Sequence, residues 1–245
     1  MSASKQWVHL AVTFGAILAS PRASATQLGL FRRPPVSKAP QQILDPVYAF
    51  APNRDTLGGT AYFILKNQGN ILVDCPGWNE QTQTFLAAQG GVRWWVLTHR
   101  QGIGKSIKAM QAYLNCEMVM QEQEAYLLPE LPVTSFGHTL ALTPECRLLW
   151  TPGHSPGSAC LHLADQGGIL FSGRHLLPDP QGQLMPLRSA KTFHWGRQLQ
   201  SLQRLLDEFT PDTLHYVCPG ANIGFLRGQS WVSHAYAQLQ SLNPG

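Results

Sequence analysis

The chain has no Cys-x-x-Cys pair, no long Lys/Arg run, and no apolar stretch long enough to cross a bilayer comfortably. Each absence narrows the field. The five cysteines, Cys75, Cys116, Cys146, Cys160 and Cys218, form an odd, dispersed set, whereas a disulfide framework normally takes an even set in a small secreted protein. Free, mostly buried thiols serving as small core hydrophobes are expected instead. Charged residues make up only 13% of the chain, and the net charge of +4 is mild, so nucleic acid is not an expected partner. Internal repeats and low-complexity blocks are also missing. What remains is 245 residues that are 44% hydrophobic, enough for one sizeable core and too apolar for disorder.

The N-terminus reads two ways. Trp7 to Ala19 is mostly apolar after a lone Lys5, and Ala23-Ser24-Ala25 has the outline of an A-x-A cleavage site. Against export stand a weakly basic start, His9 inside the run, and a thiol content suited to a reducing compartment. A cytoplasmic or plastid-stroma location is expected, with export the alternative if residues 1–25 act as a signal peptide. Phe31 to Pro40 is Pro- and Arg-rich and reads as an extended connector. The expected division is therefore an N-terminal extension over 1–40 and a single domain over 41–245, with no integral membrane segment.

From Gln42 onward, strand-like runs alternate with amphipathic stretches. Strands are expected over Pro46 to Ala51, Thr60 to Lys66 and Asn70 to Asp74, the last two joined by an Asn67-Gln68-Gly69 turn. Further strands are expected over Arg93 to Leu97, Glu117 to Met120, Thr139 to Leu142, Arg147 to Thr151, Ala159 to Leu163, Gly168 to Ser172 and Thr213 to Cys218. Helices are expected over Glu80 to Gln89, Ile103 to Tyr113, Trp195 to Phe209 and Ser230 to Leu242, with Leu199, Leu202, Leu205, Leu206 and Phe209 forming one apolar face of the third. The Trp94-Trp95 pair alternates across its strand, so one ring should enter the core and the other meet a helix layer or a partner. Trp195 and Trp231 read as helix-docking anchors. Two β-rich halves carrying helices imply an α/β fold with two sheets face to face and helices outside.

Five segments lie at strand-to-loop junctions, where a scaffold commonly presents chemistry: NILVDCPG (70–77), LTHRQGIGKS (97–106), TPGHSPGS (151–158), ILFSGRHLL (169–177) and CPGAN (218–222). In this order they resemble the metallo-β-lactamase superfamily, whose motifs are a strand ending in Asp, T-H-x-H-x-D-H, T-P-G-H-T-x-G-S, F-x-G-D and a late P-G-H. The likeness covers about residues 41–225 and is closer still to the cyanobacterial and chloroplast branch, whose loop reads roughly T-H-R-D-D-V-A-D-H. The resemblance implies a four-layer αββα sandwich.

It also implies a metal cage that this sequence has largely lost. A hydrolytic metal takes three or more protein ligands plus an open water position, and it generates a hydroxide nucleophile there. By the resemblance, His99 and His154 are kept. Gln101, Ile103 and Gly104 stand where a His, the Asp and another His belong. In the branch's own register the Asp-His pair falls on Lys105 and Ser106. Arg174 replaces the bridging Asp, and Ala221 replaces the last His. A guanidinium stays protonated and does not ligate metals. Roughly 4 Å from a dication, at an effective dielectric of about 20, it opposes binding by about 8 kcal/mol. The same group favours an anion, because Arg pairs bidentately with carboxylates and phosphates.

The expected function is thus a metallo-β-lactamase-like pseudoenzyme, a binding or scaffolding module with an anion pocket of Arg174, His99, His154 and Lys105. Its partner would be a protein or a small anionic ligand, and no cofactor is expected. The alternative is a hydrolase of ester, thioester or phosphodiester type with one weakly bound Zn or Fe on His99 and His154. His99 and His154 read either as that two-ligand remnant or as histidines hydrogen-bonded in a remodelled pocket. Asp74 reads as an acceptor for loop N–H groups, or as a catalytic general base. His175 is expected to face away by alternation, though it could substitute as a ligand. Lys105 is an anion contact or simply solvated. Cys75 and Cys218 near the same mouth leave room for a Cys/His enzyme. The run Gly102 to Ser106 is not a P-loop, since the residue five before Gly104 is His99 and not glycine.

Overall fold

Strict side-chain alternation decides how the layers stack. In the computed structural model, which describes residues 38–242, the first sheet contains β1 (Gln41–Leu44), β2 (Val47–Ala49), β3 (Tyr62–Ile64), β4 (Ile71–Val73), β5 (Trp94–Leu97), β6 (Glu117–Gln121) and β7 (Val133–Phe136). They lie side by side in chain order, antiparallel as far as β4 and parallel from β4 to β7. Tyr62, Ile64, Ile71, Val73, Trp94 and Val96 face one way. Phe63, Leu72, Trp95 and Leu97, one residue out of step, face the other. That is the period-two rule for a sheet covered on both sides.

The second sheet contains β8 (Thr139–Thr143), β9 (Cys146–Trp150), β10 (Ala159–Leu163) and β11 (Ile169–Gly173). A small separate hairpin follows, β12 (Leu177–Pro178) and β13 (Leu184–Met185), before β14 (Tyr216–Pro219) and β15 (Val232–Ser233) complete the sheet. Its order is β15-β14-β11-β10-β9-β8, with β11 and β14 parallel. Leu148, Leu161, Ile169 and Phe171 meet the inner face of the first sheet in one cluster. The helices close the outside: α1 (Glu80–Ala88) and α2 (Ile107–Leu114) cover the first sheet, and the one-turn α3 (Glu122–Ala125) follows β6. The helices α4 (Trp195–Glu208) and α5 (Ala235–Ser241) cover the second sheet. The expected helix–sheet–sheet–helix order is what is found.

Several details go as the residues imply. Gly69 closes the turn between β3 and β4 with a 3.0 Å bond to Lys66 O. Trp94 enters the space between the sheets and Trp95 meets the helix layer. Other details are corrected. The helix expected from Ile103 starts only at Ile107, because residues 99–106 instead fold over Asp74, where a Cβ on Gly102 would lie 2.5 Å from Asp74 Oδ1. The closing helix expected from Ser230 is divided: Val232–Ser233 pairs with β14, and His234 takes a left-handed φ of 52° before α5 begins. Trp231 consequently sits ahead of a strand, edge-on to Tyr216 at 5.3 Å, and anchors no helix. Leu199 remains 40% exposed while Leu202, Leu205, Leu206 and Phe209 are buried. Sequence patterning also gave no sign of β1 and β7, which are short edge strands. The segment read as signal-like lies outside the described residues. Among those described, no helix is long and apolar enough to cross a membrane.

All five cysteines are free, and four of them are buried. Burial pushes Cys146 and Cys160 up to about 12 and drives Cys75 and Cys218 higher still, while Cys116 rises to about 11. The thiolate is the reactive species, and burial of Cys75 and Cys218 disfavours it. An aromatic disulfide reagent should label Cys116 alone in the folded protein and the other four only on unfolding. Fast native-state release of more than one equivalent would contradict this packing.

Candidate functional site

Asp74 directly follows β4 at a φ of 58°, a left-handed conformation that Asp adopts more readily than most residues. Its carboxylate accepts from Thr98 N at 2.9 Å and from Thr98 Oγ1 at 2.9 and 2.8 Å. Its backbone carbonyl accepts from Trp95 Nε1 at 3.0 Å. Burial raises its pKa to about 6, opposed by the Thr98 hydrogen bonds and the Arg174 charge. Asp74 thus fastens the end of β4 to the end of β5, and at pH 7 it is ionised.

The Thr98 hydroxyl has one proton, and the ionised Asp74 takes it. His99 Nδ1, 2.8 Å from the same hydroxyl, must therefore donate. This fixes the neutral tautomer with a bare lone pair on Nε2, and that atom is buried without a partner. His154 comes from the loop between β9 and β10, and its ring is edge-on to His99 with centroids 5.5 Å apart. His154 Nε2 lies 3.0 Å from Gln101 Oε1; a carbonyl oxygen only accepts, so the proton is on Nε2. Burial, and then the charges of Arg174, Arg100 and Lys191, lower His154 to about 4. Burial, His154 and Arg174 hold His99 well below the usual imidazole range. Both rings are neutral at pH 7.

Arg174 follows β11 and is half-buried. Its Nη2 donates to Thr56 O at 2.9 Å and to Leu57 O at 3.0 Å, while Nε is buried with no partner. Burial lowers its pKa from the ordinary value, with Asp74 acting the other way. The neighbouring His175 is 1% exposed, and neither ring nitrogen is hydrogen-bonded. Burial and then the charge of His154 lower it to about 3. Its carbonyl accepts from Gln198 Nε2 of α4 at 3.0 Å.

Gly173, with a φ of +52°, brings β11 onto Thr98: a Cβ there would be 2.5 Å from Thr98 Oγ1. Gly220, after β14, donates to Gly173 O at 2.7 Å and accepts from Thr60 N at 2.9 Å. A Cβ at Gly220 would meet Gly173 O at 2.6 Å. Ala159 N donates to Thr98 O at 2.8 Å. Backbone contacts thus draw the ends of β4, β5, β11 and β14 together, as expected where parallel strands present a site at their carboxyl ends.

Of the residues singled out in the sequence, His99, His154, Gln101, Asp74 and Arg174 are linked here by hydrogen bonds, ring contact or charge. Gly104 is buried, Ile103 is partly buried against the helix-side core, and Ala221 is 2% exposed. Lys105 is 85% exposed and pairs with Asp55 at 3.8 Å, which leaves it out of the cluster's hydrogen bonds. Four contributors were not foreseen. Thr98 relays between Asp74 and His99. Arg100 binds the buried Glu124 through its backbone N at 2.7 Å and its Nε at 3.1 Å. Gln198 holds His175, and Lys191 lies in the segment whose Phe193 N donates to His154 O at 3.0 Å. Thr98 and Arg100 stood inside a quoted motif, whereas Lys191 and Gln198 stood in none; a buried Glu on a one-turn helix carries no pattern in the sequence.

Comparison with solved structures shows what this arrangement is built on. A metallo-β-lactamase superfamily protein from Sulfolobus tokodaii matches with a TM-score of 0.57, covering 80% of this chain and 83% of that one at 14% identity. A metallo-β-lactamase from Erythrobacter litoralis, solved with β-mercaptoethanol in its active site, gives 0.60 over 83% and 94% at 19% identity. The chain has the metallo-β-lactamase fold. A further structure, solved in a di-iron-bound form, gives 0.58 over 77% and 95% at 22% identity. No protein-family model and no curated protein matches the sequence. The metallo-β-lactamase fold does not by itself assign a reaction.

A catalytic metal needs three or more protein ligands. Among the described residues, no group of three or more His, Cys, Asp or Glu side chains is placed to hold one. The cluster offers two imidazoles, His99 and His154, beside a guanidinium, fewer protein ligands than such a centre takes.

Proposed function

We propose that this chain is a non-catalytic binding or scaffolding module on the metallo-β-lactamase fold, with an Arg174-centred pocket for a small anion. The observation carrying this reading is the half-buried Arg174, tied by Nη2 to Thr56 O and Leu57 O beside two neutral imidazoles. A permanent cation there repels a dication and attracts an anion. By the likeness of FSGR to F-x-G-D, it stands where a bridging carboxylate would be, and Ala221 stands where a ligand His would be. Elemental analysis of protein purified without chelator should find well under one equivalent of zinc or iron. The same sample should show no ester, thioester or phosphodiester hydrolysis above background. Stoichiometric metal together with turnover would overturn the reading.

One observation favours a second reading. His99 Nε2 is a buried lone pair without a partner, 5.5 Å ring-to-ring from His154. A hydrolase with a mononuclear zinc or iron site on these two residues would lose metal and activity together when either is replaced by Ala. Retention of both in either variant would exclude it.

A further inference from the structure

The anion pocket has a neighbourhood that the proposed function leaves unused. Large hydrophobic side chains are exposed on three segments that are hydrogen-bonded to its residues. Leu57 is 55% exposed, and its carbonyl accepts from Arg174 Nη2. Phe193 is 50% exposed, and its N–H donates to His154 O. Tyr126 is 67% exposed and follows by two residues Glu124, whose carboxylate holds Arg100. Leu57 and Phe193 are thus each one backbone hydrogen bond from a residue of the polar cluster, and Tyr126 is two residues from one, positions from which apolar side chains are available to a ligand held there.

The charge count limits the head group. Arg100 is paired with Glu124, and the ionised Asp74 acts on Arg174. Lys191, exposed and without a carboxylate partner among the described residues, leaves about one positive charge in excess. Arg174 Nη2 is committed to two carbonyls, so Nη1, which has no partner among the described residues, is the guanidinium nitrogen free to meet a ligand. Two buried acceptors without partners, His99 Nε2 and Gln198 Oε1, oppose a doubly charged head.

Resting on the anion-pocket reading, we infer that the ligand is an amphiphilic monocarboxylate whose head meets Arg174 and Lys191 and whose apolar tail lies across Leu57, Phe193 and Tyr126. Calorimetric titration of the full chain at low salt, with acetate, butyrate, hexanoate, octanoate, octanol and inorganic phosphate, tests this. Affinity should rise up to about fourfold per added methylene from butyrate to octanoate, the ratio that burying one CH₂ carries. Octanoate should bind at least about tenfold more tightly than octanol, as expected for a charge-assisted head contact. Leu57→Ser with Phe193→Ser should flatten the chain-length dependence, whereas Tyr113→Ser, exposed elsewhere on α2, should not alter it. Arg174→Met should weaken octanoate at least about tenfold, and the exposed Lys191→Gln provides a charge variant with no buried contact to lose. If acetate and phosphate saturate while octanoate gains nothing, the tail site is refuted and the anion pocket stands. If octanol equals octanoate, or if no anion saturates, the anion pocket and this inference fall together.

Discussion

Asp74→Ala is expected to lower folding stability by about 3–4 kcal/mol, read as a fall in the urea midpoint at pH 7.5. The substitution orphans the buried Thr98 N–H and hydroxyl, both of which donate to the carboxylate. Losing the acceptor of a buried, charge-assisted bond costs the desolvation of each donor left behind. It also places Ala at a φ of 58°, which an L-residue without a short polar side chain tolerates poorly. Against a typical domain stability of about 5–15 kcal/mol, that is a large fraction. Asp74→Asn should cost less than half as much, because the amide oxygen still accepts from Thr98 N. Its NH₂ group would now donate to Thr98 Oγ1, freeing the hydroxyl proton for His99 Nδ1. The imidazole tautomer should then reverse, and ¹⁵N shifts of the ring nitrogens report it directly. An unchanged tautomer in Asp74→Asn would mean that Thr98 does not relay between the two side chains.

Acid should unfold this protein early. His99, His154 and His175 are neutral when folded, with His154 lowered to about 4, His175 to about 3 and His99 well below the ordinary value. In the unfolded chain they titrate near 6.5. The unfolded state therefore binds more protons than the folded state below about pH 6.5, and stability falls as pH falls toward the folded values. Asp74 works in the opposite sense. Its folded value of about 6 lies above its ordinary 3.8, so it contributes stability at low pH that is lost as pH rises through 6. Three imidazoles against one carboxylate leave a net release of up to two protons on folding, a slope of up to about 2.7 kcal/mol per pH unit between about pH 6 and 4.5. Urea midpoints at pH 7.5, 6.0 and 5.0 should drop steeply across the last interval. A flat profile would show that these rings are solvated in the native state.

The layers of the fold could be read from the chain because period-two alternation survives burial on both faces: the step from Trp94 to Trp95 or from Tyr62 to Phe63 needs no tertiary knowledge. The start of α2 could not. Ile103 to Tyr113 has helical spacing, yet the loop's packing on Asp74 overrides that pattern for its first turn. Ser230 to Leu242 failed similarly, because pairing of Val232 with Val217 is a long-range event. At the site, residue identities at junctions pointed to Asp74, His99, His154 and Arg174 together. Their partners were hidden: Lys105 turns outward beside Asp55, and Glu124 matters only because Arg100 folds back onto it.

The glycine-to-glycine seam between residues 173 and 220 has a consequence for how this architecture can change over time. The opening is shaped by main-chain atoms in direct apposition, where a side chain on either glycine would force the walls apart. Gln101 and Arg174, which reach His154 and Thr56 O, are side chains and no part of that main-chain seam. The enclosure can be refitted for a different occupant one side chain at a time while its outline stays fixed.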